Sequence, residues 1–79
     1  MALHKINGRN YFLNCDKLDI TKTGNGKFDV IADGRGFTIL GGRESGGAAN
    51  EWFIFCPILF GDRWLPVGSK IEAIRAGLG

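Results

Sequence analysis

Residues 18–40, LDITKTGNGKFDVIADGRGFTIL, decide the fold of this chain. Polar and apolar residues alternate around Leu18 and Ile20, and again around Phe28 and Val30, which is the period of a strand with one buried face. Glycine-containing turns at 24–26 and 33–34 separate these runs, and Asp-Gly supplies the positive φ that a tight hairpin needs. The stretch therefore predicts three antiparallel strands, at 17–22, 27–32 and 37–40.

Hairpin and strand signals continue on both sides of this stretch. Residues 3–6 and 11–13 flank Asn7-Gly8 and predict an opening hairpin. Residues 51–56 are a glutamate followed by five apolar residues, without alternation. This is typical of a strand covered on both faces, either because it is central or because one face meets another chain. Pro57 ends or bulges that strand. For residues 57–67 the sequence leaves two alternatives, a further hairpin and an irregular apolar flap.

The C-terminus carries the signals of one short helix. Ser69 and Glu72 have the spacing of a capping box, in which the Ser69 hydroxyl accepts from the Glu72 amide and the Glu72 carboxylate accepts from the Ser69 amide. Ile71, Ile74 and Leu78 fall at helical spacing, and residue 77 is a glycine suited to a left-handed cap. We expect this helix to dock on the sheet, since so short a helix is marginal alone.

Length and composition limit the architecture to one small domain. The chain has 79 residues, 13 of them glycine, and ten Lys and Arg against eight Asp and Glu. We predict a single β-rich domain over 1–79. Its fold class is mainly β (α+β), an antiparallel meander of five or six short strands, curved by glycines, with one short C-terminal helix packed on it. The longest apolar stretch, 52–60, is too short to span a membrane, and no export signal is present, so we expect a cytoplasmic protein.

The familiar catalytic and cofactor motifs are missing. Neither GxGxxG nor GxxxxGK occurs, and the loop serine, Ser45, is remote in sequence from the sole histidine, His4. Cys15 and Cys56 form no CxxC pair, and with a single histidine they cannot supply a zinc site. The sequence favours a non-enzymatic protein with no cofactor and no metal.

Four arginines lie in or beside predicted turns: Arg9, Arg35, Arg43 and Arg63. Arg9, Arg35 and Arg43 are candidate anion-binding residues, and the meander predicts that Arg9 and Arg43 share one end of the sheet with Lys22 and Lys27. A nucleic-acid-binding module using these arginines is one alternative function. A second alternative is an oligomer that binds a small anionic ligand, such as a nucleotide, with the backbone amides of the loop at 41–47.

The aromatic residues of the second half give the strongest functional signal. Five large rings lie within thirteen positions, and one short helix cannot cover them all. Trp, Phe and Arg are residue types that anchor protein interfaces, and small cores are often reinforced by oligomerisation. We therefore predict a protein partner and a homo-oligomer. The candidate partner-binding residues are Arg43, Glu44, Trp52, Phe53, Phe55, Phe60, Arg63 and Trp64.

In size and layout the whole chain resembles small accessory proteins encoded by phages and prophages. The resemblance is carried by FDVIADG at 28–34, followed by a strand, a glycine loop and a short Ser69-capped helix. It implies an inhibitor or modulator of a host complex, such as a host-defence complex, acting in the host cytoplasm, and it assigns no functional residues. The mildly basic balance departs from the acidic inhibitors that mimic nucleic acid.

Overall fold

The computed structural model describes all residues, 1–79. The elements are β1 (Ala2–Ile6), β2 (Arg9–Leu13), β3 (Leu18–Gly24), β4 (Lys27–Ala32), β5 (Arg35–Gly41), β6 (Trp52–Phe55), α1 (Pro57–Phe60), β7 (Trp64–Val67) and α2 (Lys70–Leu78), with a short 3-10 turn at Arg43–Ser45. Neither helix is both long and apolar enough to cross a membrane.

The strands form two antiparallel sheets. β3 to β7 pair in chain order as a five-stranded meander, and β1 and β2 pair only with each other. The predicted β-rich α+β class with one C-terminal helix is confirmed, but the seven strands exceed the five or six expected. The predicted tight turns at Asn7-Gly8 and Asp33-Gly34 form with positive φ at both residues of each pair.

The core lies between α2 and one face of the five-stranded sheet. Val30, Ile39 and Ile54 are fully buried there against Ala73 and Ile74. The β1–β2 hairpin and the segment after it add further buried residues to this core, namely Ile6, Leu13 and Cys15. The opposite face of the sheet is not covered by α2, which docks on one side, and Pro57 of α1 borders that face beside Phe55.

β6 is not covered on both faces, although its unbroken apolar sequence raised that prospect. Ile54 is buried, whereas Phe53 is exposed and Phe55 is only half-buried. After β6, residues 57–67 form neither a simple hairpin nor an irregular flap: one helical turn, α1, leads into β7, which pairs back on β6. Pro57 ends the strand because it takes the first helical position, where no amide hydrogen is needed.

The C-terminal helix differs from its prediction in two details. The Ser69 hydroxyl accepts from the Glu72 amide at 3.2 Å as expected, but the Glu72 carboxylate accepts from the Gly68 amide at 2.9 Å instead of from Ser69. Gly77 is not the left-handed cap, because α2 continues to Leu78 and the positive φ occurs at Gly79. Gly77 is instead buried against β5.

Candidate functional site

The face of the meander that α2 leaves uncovered, here called the open face, is polar at one side and apolar at the other. Strand register aligns Asp29, Thr38, Phe55 and Trp64 in one row across β4 to β7. A neighbouring row runs from Lys27 through Leu40 and Phe53 to Pro66. We call Leu40, Phe53, Phe55, Trp64 and Pro66 the apolar half of the open face.

The aromatic rings of the apolar half are accessible to solvent. Trp64 is 43% exposed and Phe53 is 36% exposed. Phe55 and Trp64 face each other across β6 and β7 with their ring centroids 5.3 Å apart, a cross-strand contact that restrains both rings. Ile58 and Leu59 of α1 are exposed as well, three and four positions after the end of β6. The arrangement is a preformed apolar patch bordered by Asp29 and Lys27.

The residues predicted to bind a partner do not form one surface. Phe53, Phe55 and Trp64 lie together in the apolar half, and exposed Arg63 comes immediately before β7. Phe60 packs against the core. Trp52 points to the opposite face of the sheet, where it stacks on Phe28 with centroids 6.2 Å apart. Strand alternation separates Trp52 from Phe53, because successive side chains point to opposite faces.

Arg43 and Glu44 belong to a second feature, a concave site of about 450 Å³ beside Trp52. Its walls come from the turn before β4, the 3-10 turn, the start of β6 and the first residue of α2. Gly42, at φ 73°, lies against the Trp52 indole so closely that a Cβ there would be 2.9 Å from Cζ2. The polar side chains that line it are Asn7, Lys22, Arg43, Glu44 and Lys70.

Charge in this concave site is unevenly paired. Lys22 forms a salt bridge with Glu44, and that hydrogen bond lowers the pKa of the Glu44 carboxyl. Lys70 makes no ion pair, and its Nζ lies 3.9 Å from the centroid of the Phe28 ring. Burial lowers the pKa of Lys70, attraction to Glu44 opposes this, and repulsion from Lys22 adds to the lowering. In total, three cationic side chains and one carboxylate line the site: Lys22, Arg43 and Lys70 against Glu44.

The three candidate anion-binding arginines do not converge. Arg43 lines the concave site, but exposed Arg9 does not. Arg35 lies at the other end of the sheet, where its guanidinium donates to the Leu78 carbonyl at 3.2 Å. Arg35 therefore lies apart from Arg43, as the meander predicts, and Arg9 follows the Asn7-Gly8 turn, whose Asn7 lines the concave site. The assignment of these arginines to anion binding stays a prediction.

Sequence reasoning missed residues in both features. Leu40 and Pro66 join the apolar half because strand register places them beside Phe53. Lys70 reaches the concave site because the docking of α2 brings its first residue over Phe28. The strand register could be predicted in part from the turn signals in the sequence. The position of Lys70 could not, because it depends on how α2 packs on the sheet.

Comparisons of the chain with protein-family models, with curated proteins and with solved structures find no match.

Proposed function

We propose that this chain is a non-enzymatic binding protein that docks a protein partner on the apolar half of its open face. The observation that carries the proposal is the pair of exposed rings, Phe53 and Trp64, with half-buried Phe55 between them on the sheet face that α2 leaves uncovered. Aromatic residues supply the anchors of most protein interfaces, and a polar border is typical of such sites. Asp29, Lys27 and Arg63 provide that border.

The rigidity of the patch supports the same function. Phe55 and Trp64 are held on paired strands and against each other, so little side-chain freedom is lost when a partner covers them. Following the resemblance to phage-encoded accessory proteins, we propose that the partner belongs to a host complex in the host cytoplasm. Binding would then inhibit or modulate that complex.

The expected self-association would use the same patch. A second copy on the apolar half would compete with a foreign partner, because both need the same rings. We therefore propose that the foreign partner is the principal occupant. Light scattering of the purified protein over a range of concentrations measures the competing dimer.

The decisive experiment compares two pairs of exposed apolar residues. Phe53→Ser with Trp64→Ser removes the rings of the apolar half. Leu3→Ser with Phe12→Ser is the matched control, because these residues face each other on the hairpin at 62% and 59% exposure. Both variants and the wild type are used as bait in a bacterial lysate, and the captured protein is then purified for direct binding measurements. Circular dichroism verifies that each variant is folded.

We expect the Phe53/Trp64 variant to bind about 100-fold more weakly than the wild type, and the Leu3/Phe12 variant to change little. Raising salt from about 50 to about 500 mM should have little effect, since the contact is apolar. Thr38→Arg, which adds a charge beside Phe55 without removing a ring, should also weaken binding. Equal binding by the wild type and the Phe53/Trp64 variant would contradict the proposal, as would a steep loss of affinity with salt.

A further inference from the structure

The concave site beside Trp52 has the features of a small-anion site within a single subunit. Lys22, Arg43 and Lys70 come from β3, the 3-10 turn and α2, which are far apart in sequence and meet only in the folded chain. Glu44 is the one carboxylate among them, and Lys22 already engages it. Arg43 and Lys70 form no salt bridge with any residue.

Lys70 is the residue that most needs an anionic partner. Its ammonium group is partly withdrawn from water and lies over the Phe28 ring. Glu44 attracts it without forming a salt bridge, since Lys22 already engages that carboxylate, and Lys22 repels it. A partly desolvated cation without a salt bridge of its own is unfavourable, and a bound anion would relieve that cost. Asn7, on the turn of the β1–β2 hairpin, adds a neutral side chain with amide donors to the same site.

From this geometry we propose that the concave site binds a small phosphate-bearing ligand, with Lys70 and Arg43 as its principal contacts. Three cations against one carboxylate leave two positive charges, which matches a terminal phosphate group with a charge of about −2 at neutral pH. The Arg43 guanidinium can donate two parallel hydrogen bonds to one phosphate group. A volume of about 450 Å³ suits a ligand of nucleotide size.

The aromatic rings serve this site as walls and not as a stacking platform. Phe28 has Trp52 on one side and the Lys70 ammonium against its ring, and Gly42 lies against the Trp52 indole. The ligand is therefore recognised through its phosphate, whether free or esterified. This site is independent of the apolar half, which lies on the other face of the sheet.

Calorimetric titration with inorganic pyrophosphate and with ADP tests the proposal, and adenosine is the uncharged comparison. Lys70→Gln and Arg43→Gln each remove one contact, while Lys17→Gln and Arg63→Gln make the same charge changes outside the site. We expect pyrophosphate or ADP to bind and adenosine not to bind. Each variant within the site should weaken binding by about tenfold, and each control should change it less than about threefold.

The relative affinities of ADP and pyrophosphate identify the form of the phosphate. ADP binding more tightly than pyrophosphate identifies an esterified phosphate as the ligand, and equal binding identifies the phosphate group alone. Absence of binding by both probes would overturn the proposal, as would equal weakening by site and control variants. A single-stranded oligonucleotide could also bind more tightly than pyrophosphate and ADP. If Lys70→Gln and Lys17→Gln weakened that binding equally, the proposal would be overturned in favour of a diffuse nucleic-acid surface. Arg43 lies on an exposed turn, so the Arg43→Gln variant tests the site even if Lys70→Gln disturbs α2.

Discussion

Gly77 of α2 lies directly against the ring of Phe37 on β5. A Cβ on residue 77 would overlap with the Cε2 and Cζ atoms of that ring, and both residues are buried. The missing side chain lets the helix approach the sheet closely enough to bury Ile74 and Leu78. This contact therefore sets the distance between the two layers of the core.

Gly77→Ala should destabilise the protein even though alanine is the better helix former. Helix propensity favours alanine by about 1 kcal/mol, but overpacking against a buried ring costs about 1–3 kcal/mol. We expect a net decrease in the free energy of unfolding, measured by urea denaturation. Gly36→Ala is the control, because the nearest atom to a Cβ there is 3.8 Å away. Adding Phe37→Leu to Gly77→Ala should recover part of the loss, and a Gly77→Ala variant more stable than the wild type would contradict the close contact.

Ser69→Ala should lower the free energy of unfolding by about 1 kcal/mol, because the Glu72 amide loses its capping acceptor. Ser69→Asp keeps a side-chain acceptor at the same position and should retain most of the stability. Thermal and urea unfolding of the three proteins measure the effect. Equal stability of the alanine and wild-type proteins would show that the cap contributes nothing.

Asp33 should make stability depend on pH in the acid range. Its carboxylate accepts from the amides of Lys17 and Asp16, and these hydrogen bonds lower the pKa of Asp33 below its ordinary 3.8. A lowered folded pKa means that the stabilisation is present above the unfolded pKa and is lost as pH falls through the folded value. The contribution of Asp33 should therefore be complete above about pH 5, begin to fall as the pH approaches the ordinary value of 3.8, and be lost only when the pH drops below the lowered folded pKa.

Asp33→Asn isolates this effect, because asparagine also tolerates the positive φ of 49° at this position. The difference in unfolding free energy between the wild type and this variant should shrink as the pH is lowered. Urea denaturation between about pH 6 and about pH 3 measures it, with Asp62→Asn as an exposed control. A difference that stays constant over that range would contradict the prediction.

Cys15 and Cys56 should react slowly with thiol reagents in the folded protein. Both are free and buried, and desolvation raises the pKa of Cys15, so little reactive thiolate is present. We expect about two thiols to be titrated rapidly in denaturant and almost none in buffer, as measured with a chromogenic disulfide. Rapid labelling of Cys15 in buffer would show that the β1–β2 hairpin opens readily.

The sequence predicted the local structure better than the sites. The two positive-φ turn pairs, the strands around Val30 and Ile39, and the Ser69 cap follow from local spacing, and all of them form. The aromatic segment was correctly singled out as rich in apolar side chains. Its division between two faces was not predicted, because an unbroken apolar run hides the alternation that would separate Trp52 from Phe53.

The sequence by itself determined the turns, the strands and the capped helix, because these depend on residues close together in the chain. The tertiary structure decided which face of the sheet α2 covers, and hence which aromatic rings are left exposed. It also decided that Lys70 joins Lys22 and Arg43, since helix docking brings together residues separated by up to 48 positions. Such proximity arises from packing of the whole core, which no local pattern encodes.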